Sequence, residues 1–371
     1  MIKIDSTLIT TKGLDGKSMA DRHVDWFMDQ MTNPKHSFSD GTSYMDFLSE
    51  QLNIPSDIDG FKDAIKPYLV GKIQDIERLR YFHKNLNGVK RQNEYTKDEK
   101  KKKAKADKIE EAFCYSLFSK SHAKEEIWDA YKFCRGLNID VCPYCNRQYI
   151  FTVMEHRANM QCDNKECIVR PEIDHYYPKS IYPYLSCNLF NFIPSCPTCN
   201  HTKSDKEDGE DNINILIYPY DEEYGCDGVF KAKYEDSLLN AEFLFGANID
   251  EKKVKIIIES SGPIKDSIEK SKGTFYLEDI YNMHKLDLSD FLNRYKKYCD
   301  PKRKEIIKLF HDSADINARI EDNQLEIFLN IMSSKLEKEL LGMIECDDSK
   351  QYPLKKMKDD IKKQLDNSKN P

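Results

Sequence analysis

Residues 142–145 read Cys-Pro-Tyr-Cys and residues 196–199 read Cys-Pro-Thr-Cys. Two residues between paired cysteines let a tight turn point both sulfurs at one ion, and two such pairs complete a tetrahedral zinc site. We therefore expect one structural Zn²⁺ held by a four-cysteine clip, which consists of Cys142, Cys145, Cys196 and Cys199. Four thiolates leave no open coordination position, so any chemistry must belong to the residues inside the clip.

The segment enclosed by the clip predicts two strands and a short helix. Residues 148–154 and 168–173 are rich in β-branched and aromatic residues, which favours a strand pair. Asp174 and the histidine after it would then lie at a strand end. Residues 197–206 are compatible with a short helix that places Asn200 across from that strand end. A strand, a loop and a helix pinned by one ion would form a ββα-metal arrangement.

Taken together, residues 142–206 resemble the HNH endonuclease family in its zinc-clipped form, over about 65 residues. Carried over position by position, the resemblance implies that Asp174 is the first ligand of a catalytic ion and that His175 is the general base. It implies that Asn191 is the middle asparagine, which braces the loop that aims the base. Asn200 is implied as the second ligand of the catalytic ion.

Hydrolysis of a phosphodiester requires an activated water, neutralisation of the phosphate charge and stabilisation of the departing 3′ oxygen. A neutral imidazole such as His175 suits the first task near neutral pH. The carboxylate and amide oxygens of the two implied ligands favour Mg²⁺ or Mn²⁺, with His201 as an additional candidate ligand. Asn188 competes for the middle role, but Asn191 stands the usual five residues before Cys196.

Basic and aromatic residues beside the motif offer substrate contacts. We expect phosphate contacts from Lys179, Lys203 and Arg147, which would position a nucleic acid without reading its bases. A lysine-rich stretch over residues 97–108 is interpreted as a phosphate-binding patch or, because acidic residues interleave with the lysines, as a solvated helix or linker. Four tyrosines near the base either stack on nucleotides or fill a small core: Tyr176, Tyr177, Tyr182 and Tyr184.

Amino-acid composition constrains which partners the protein can bind and in which cellular compartment we expect it. The formal charge of −7 counts against extensive phosphate binding, yet residues 142–206 hold seven Lys/Arg against six Asp/Glu, so the acidity lies elsewhere. The chain has 12 cysteines and begins without an apolar signal segment, which favours metal-binding thiols in a reducing cytoplasm over disulfides. No apolar run is long enough for a membrane span.

The chain of 371 residues is long enough for two or three units. We predict an α+β protein with a helical region over residues 1–135, the HNH domain over 136–225, and short strands followed by helices over 226–371. Further strands are expected over 213–220 and 254–259. Helices are expected over the ranges 286–310, 316–344 and 354–365.

The overall plan is also loosely similar to HNH effectors of bacterial defence systems, such as those of Septu and some retrons. This similarity includes the stretch Tyr-Pro-Tyr-Asp-Glu-Glu-Tyr-Gly over residues 218–225. It implies an antiviral role, an ATPase partner and a nucleic-acid substrate, with DNA favoured over RNA.

Three alternatives stay open at this point. The clip could belong to a zinc ribbon or treble clef that only binds nucleic acid or protein, without chemistry. His175 could be a structural histidine. Cys162 and Cys167, with His156 upstream, could form part of a second zinc site or be ordinary thiols in a loop.

Overall fold

The computed structural model describes residues 1–72, 97–120, 127–155, 167–180, 182–204, 216–235, 237–240, 253–298 and 353–367. Helices and small sheets both occur among them, so the protein belongs to the α+β class. Two compact units span residues 1–223 and 224–371. The N-terminal helices and the cysteine-rich segment, which the sequence suggested as separate domains, therefore pack within one unit.

The first unit begins with short helices in the expected helical region. They are α1 (Thr7–Thr10), α2 (Met19–Met31), α3 (Tyr44–Leu52), α4 (Ile58–Val70), α5 (Lys97–Ala112), α6 (Tyr115–Phe118) and α7 (Ala130–Leu137). Local capping explains where several of them start, as for α2. Ser18 accepts from the backbone amide of Asp21, and the Asp21 carboxylate accepts from that of Ser18, which together form a capping box.

Two small antiparallel sheets and one helix follow. They are β1 (Val153–Glu155) with β2 (Cys167–Val169), β3 (Glu172–His175) with β4 (Phe192–Ser195), and α8 (Pro197–Lys203). The expected pairing of residues 148–154 with 168–173 is confirmed only for β1 and β2, where Met154 faces Ile168. The Glu172–His175 strand pairs instead with β4, so that His175 faces Phe192 at its end.

An aromatic cluster around Phe192 joins the helices to this strand pair. Phe118 of α6 stacks on Phe192 with ring centroids 5.5 Å apart, and Phe133 of α7 meets the same ring edge-on at 5.9 Å. His23 of α2 lies fully buried beside them and accepts at Nδ1 from the indole N–H of Trp128, 3.1 Å away. Burial of these rings provides the hydrophobic free energy that holds β4 against the helices.

The second unit contains a sheet of order β6-β5-β7, formed by β5 (Gly228–Tyr234), β6 (Ser237–Leu238) and β7 (Val254–Ser260). Its helices are α9 (Lys265–Thr274), α10 (Leu277–Asn282), α11 (Lys285–Tyr298) and α12 (Lys355–Asn367). The strand over 254–259 is confirmed, as are the described parts of the helices over 286–310 and 354–365. The range 316–344 lies outside the described residues.

Side chains of two helices pair with backbone groups that point away from the β5–β7 pairing, on β5 beside the two-residue β6 and on the outer side of β7. Gln364 of α12 accepts from the amide of Ala232 at 2.9 Å and donates to its carbonyl at 2.8 Å. Asn282 of α10 makes the matching pair with Ile256 on the other edge, at 2.9 and 2.7 Å. Edge strands present unpaired backbone groups that favour aggregation, and these amides satisfy them.

The structure bears on two further expectations, the strand over 213–220 and the absence of a membrane span. Residues 216–220, the described part of the strand expected over 213–220, form a bend and a turn instead of a strand. The hydroxyls of Tyr218 and Tyr220 donate to the carbonyls of Phe190 and Phe192 and fix this segment. No helix among the described residues combines the length and apolar character required to cross a membrane.

Candidate zinc centre and active site

The four-cysteine clip forms as expected. Its Sγ atoms all lie within 4.8 Å of one another, and all four side chains are buried. A tetrahedral zinc ion with Zn–S bonds of about 2.3 Å places its sulfurs about 3.8 Å apart; the sulfurs of Cys145 and Cys196 are 4.0 Å apart. The clip can therefore hold a metal ion such as zinc. It is the one group of His, Cys, Asp and Glu in the described part of the chain that is close enough to do so.

Backbone geometry brings the first cysteine pair together. Val141 and Tyr149 form an antiparallel bridge, and the amide of Asn146 donates to the carbonyl of Cys142 at 2.8 Å. Asn146 adopts a left-handed conformation with a φ of 47°. Asparagine tolerates that conformation better than most residues do, which explains its place directly after Cys145.

The second pair lies where β4 leads into α8. Cys196 is the N-cap of the helix, and its sulfur accepts from the amide of Cys199 at 3.4 Å. Pro197 occupies the first helical turn, where its missing N–H costs no hydrogen bond. The clip thus ties the hairpin around Cys142 to both the strand and the helix.

Contacts among the sulfurs also shift their protonation. Hydrogen bonding to Cys142 lowers the pKa of both Cys145 and Cys196. Burial raises the pKa of Cys142. Hydrogen bonding to Cys142 raises the pKa of Cys199. Zinc binds the thiolate form of cysteine, so an ion at the clip displaces the thiol protons.

The alternation of side chains along β3 separates the residues implied in catalysis. Successive side chains of a strand point to opposite faces. Glu172 and Asp174 contact α8, whereas His175 contacts residues on the other face, as described below.

Asp174 is buried and held by two donors. The hydroxyl of Tyr144 donates to Oδ2 at 2.6 Å, and the ammonium of Lys203 donates to Oδ1 at 3.0 Å. The same ammonium donates to the backbone carbonyl of His175 at 2.7 Å. The carboxylate charge is therefore balanced by a lysine from the last turn of α8.

Asn200 lies one turn earlier on α8 and contacts a different acid. Its Nδ2 donates to Oε2 of Glu172 at 2.7 Å, and the exposed ring of His201 places Nε2 3.5 Å from the same oxygen. Asp174 and Asn200, the two implied ligands, thus lie on the same helix–strand interface but have different partners in this arrangement.

His175 is enclosed by the N-terminal helices. Its Nε2 lies 2.9 Å from the carbonyl oxygen of Ser186, and the ring of Tyr115 meets the imidazole edge-on at 4.5 Å. Only 8% of the residue is exposed. Burial lowers the pKa of His175 from its ordinary value of 6.5 to about 3, so the ring is neutral at physiological pH.

Asn191 fixes the loop that follows His175. Its Oδ1 accepts from the amide of Tyr177 at 2.7 Å, and its Nδ2 donates to the carbonyls of Tyr177 and Leu185, both at 3.0 Å. The side chain is fully buried. These three bonds hold together the two ends of the loop that leads from His175 towards Ser186.

Asn188, the competing middle asparagine, has other partners. It caps the turn that follows, accepting from the amides of Phe190 and Asn191, and it donates to the carbonyls of Tyr68 and Gly71. It therefore anchors the turn to α4 and makes no described bond to the loop at Tyr177.

The three expected phosphate contacts differ in their availability. Lys203 is 5% exposed and paired with Asp174, so in this arrangement it does not point to a substrate. Lys179 forms an ion pair with Glu110 of α5 and lies over the ring of Tyr115. Arg147 is half-buried just past the first cysteine pair.

The structure bears on two alternatives that the sequence left open. Tyr176, Tyr177 and Tyr184 are buried and Tyr182 is half-buried against Tyr177, which favours the core interpretation. The lysine-rich stretch forms the helix α5, whose lysines with described side chains are exposed, so a solvated helix and a phosphate-binding patch both stay open. His156 and Cys162 lie outside the described residues, and so does the side chain of Cys167, which leaves the second zinc site a prediction.

Three residues of the site were not predicted from the sequence. Tyr144 lies inside the first Cys-Pro-Tyr-Cys pair, so its nearness to the clip was readable but its bond to Asp174 was not. Ser186 acts through a backbone carbonyl, which any residue type would supply. Tyr115 comes from a distant helix, and no local pattern connects it with His175.

Comparison with protein-family models, with curated proteins and with solved structures found no match to this chain. The assignment of the site therefore depends on the residues and geometry described above.

Proposed function

We propose that this protein is a metal-dependent HNH endonuclease that hydrolyses phosphodiester bonds of nucleic acid, with DNA favoured over RNA. The observation that carries the proposal is the strand end that bears Asp174 and His175, with the following loop braced by Asn191. The partner strand leads through the clip into the helix that bears Asn200, which is the order of parts that the resemblance implies.

The bond to Ser186 supports the role of His175 as general base. A carbonyl oxygen only accepts, so a neutral ring must carry its proton on Nε2, which leaves a lone pair on Nδ1. A water at Nδ1 would give up a proton to His175, and its oxygen would attack phosphorus. The bond to the 3′ oxygen then breaks and that oxygen takes a proton from solvent, giving 5′ phosphate and 3′ hydroxyl ends.

The donor types around α8 suit a hard divalent ion. Asp174 and Glu172 offer carboxylate oxygens and Asn200 offers an amide oxygen, which is the chemistry that Mg²⁺ and Mn²⁺ prefer. Such an ion, when bound, supplies neutralisation of charge on the phosphate and the departing oxygen. Asp174 is already neutralised by Lys203 in the present arrangement, so ion binding requires a local rearrangement.

A second candidate function is a zinc-stabilised module that binds nucleic acid or protein without chemistry. The enclosure of His175 by Tyr115 and Phe192 favours this alternative, because a general base needs access to water. The antiviral role and the ATPase partner come from the loose resemblance alone and stay predictions.

A plasmid-nicking assay with Mg²⁺ or Mn²⁺ decides between the two functions. Loss of a general base lowers a rate by about 10²- to 10⁴-fold, and we expect this for His175→Ala. His284→Ala, which changes a histidine in the second unit, should cut like the wild type. Equal cutting by His175→Ala would reject His175 as the general base, and inert wild-type protein with either ion would support the module without chemistry.

A further inference from the structure

Lys203 and Asp174 form a buried ion pair whose place in the molecule is unusual. Both side chains are 6% exposed, and the ammonium bridges the Asp174 carboxylate and the backbone carbonyl of His175. Long lysine side chains normally extend to solvent, because desolvation of an ammonium is costly. Here the ammonium donates to two oxygen atoms at the position where the proposed function requires a metal cation.

A second buried pair in the same unit shows what a purely structural arrangement looks like. Lys132 lies 3.2 Å from Asp129, and the two residues are within one turn of α7. Asp129 is also the N-cap of that helix and accepts from the amides of Tyr131 and Lys132. The helix therefore requires that carboxylate with or without the lysine.

Asp174, in contrast to Asp129, does not cap a helix. Its described donors are two side chains, the Tyr144 hydroxyl and the Lys203 ammonium, which arrive from separate elements and meet at its two oxygens. A carboxylate that accepts only from side chains can exchange one cation for another without loss of backbone hydrogen bonds.

A divalent ion and the ammonium would exclude each other at this position. Like charges a few ångströms apart repel strongly in a buried site, where water screens little. A divalent cation on Asp174 must therefore displace Lys203. The lysine lies in the last turn of α8, so its long side chain can swing away while the helix stays in place.

We propose that Lys203 is a positioning residue that occupies the ion site of Asp174 with its ammonium and is displaced when a divalent cation binds. The inference rests on the proposed function for the role of Asp174 as a ligand. It adds an exchange of cations, by which the released ammonium becomes available to the phosphate of a substrate.

The affinity for Mn²⁺ tests the exchange without any measurement of activity. Zinc-loaded full-length protein is titrated with Mn²⁺, and free Mn²⁺ is followed by electron paramagnetic resonance. Lys203→Met keeps the apolar stem but removes the competing charge, so we expect at least about tenfold tighter Mn²⁺ binding than in the wild type. Lys132→Met, the matched control, should bind Mn²⁺ like the wild type.

A double variant locates the ion. Lys203→Met combined with Asp174→Asn should lose the gain in affinity, whereas zinc content should be equal in all variants if the clip remains folded. Equal or weaker Mn²⁺ binding by Lys203→Met in zinc-loaded protein would overturn the proposal.

A second measurement uses the unaltered protein. Reductive methylation with detection by mass spectrometry reports whether the Lys203 amine is accessible. We expect saturating Mg²⁺ to raise labelling of Lys203 several-fold and to leave labelling of Lys132 unchanged. Labelling of Lys203 that does not respond to Mg²⁺ would contradict the exchange.

The two proposals can fail separately. Tight Mn²⁺ binding by Lys203→Met in a protein that never cuts nucleic acid would support the exchange and reject the endonuclease. Cutting that depends on His175, together with equal Mn²⁺ affinity in Lys203→Met and wild type, would support the endonuclease and reject the exchange.

Discussion

The four-cysteine clip and the Asp174 carboxylate lie in the same segment of the chain, yet they differ in the cation that each can bind. The clip gathers four buried sulfurs within 4.8 Å of one another, a spacing that fits one tetrahedral ion. Asp174 already has its own cation, the ammonium of Lys203. This difference supports our proposal that the clip holds a permanent ion and that the strand end holds an exchangeable one.

The backbone explains why the two sites differ. The clip is built into two turns, at Asn146 and at the N-cap Cys196, so its geometry depends on main-chain hydrogen bonds. The strand-end site is assembled from side chains of β3, α8 and the first hairpin. A site made of side chains can rearrange at a smaller cost in free energy than one made of turns.

Removal of one clip sulfur should have the largest effect. We expect Cys196→Ser to lose zinc and to unfold the segment around both turns, because structural zinc contributes on the order of 10 kcal/mol to the folding of small sites. Zinc per chain and circular dichroism measure the change. Cys226→Ser, at an exposed cysteine of the second unit, is the control and should retain zinc. Equal zinc in both variants would contradict the assigned clip.

Loss of the Asn191 side chain, which braces the loop after His175, should have an intermediate effect. It distinguishes a role of Asn191 in positioning His175 from a role in stability alone. Asn191→Ala removes three buried hydrogen bonds, which we expect to cost about 3 kcal/mol in the free energy of unfolding. Asn188→Ala removes a comparable set of bonds that do not reach the loop. Nicking activity should fall more in Asn191→Ala than in Asn188→Ala at similar stability. A larger fall in Asn188→Ala would favour Asn188 as the middle asparagine.

The smallest predicted effect is a loss of stability in acid that comes from His23, which is buried among the helices that pack on β4. Burial lowers the pKa of His23 from 6.5 to about 4. Below pH 6.5 the unfolded chain binds a proton that the folded protein refuses, so stability falls by about 1.4 kcal/mol per pH unit until about pH 4. Above pH 6.5 this contribution is complete.

Urea unfolding at pH 7 and pH 5 measures this loss. The wild type should lose about 2 kcal/mol more than His23→Gln over that interval. Zinc content is measured at both values, because acid also protonates the clip and would otherwise mask the histidine. Equal losses in the two proteins would show that His23 does not contribute to the acid sensitivity, which would then come from other groups such as His175 and the clip.

Local patterns predicted the parts of this molecule that depend on local chemistry. The spacing of the cysteines predicted the clip, and the strand propensity of residues 168–173 predicted a strand end at Asp174 and His175. The helix that bears Asn200 followed from the proline and polar residues after Cys196. These features are set by a few neighbouring residues, so a single sequence contains them.

Long-range contacts were beyond such reasoning. The sequence suggested residues 148–154 as the partner of the strand that ends at His175, but β4 takes that place because its Phe192 packs into the helical wall. Lys203 was expected at a phosphate, and its pairing with Asp174 depends on the angle between α8 and β3. Tyr115 reaches His175 across about 60 positions of sequence.

We propose that the clip stabilises the fold while the strand end performs the chemistry with a different ion. The most direct test dialyses the protein against a mild chelator, then measures zinc per chain and nicking activity before and after addition of Mg²⁺ or Mn²⁺. We predict that about one zinc per chain is retained, that activity is lost on dialysis, and that Mg²⁺ or Mn²⁺ restores it without change in zinc. Activity that follows the zinc content and ignores Mg²⁺ and Mn²⁺ would contradict the account.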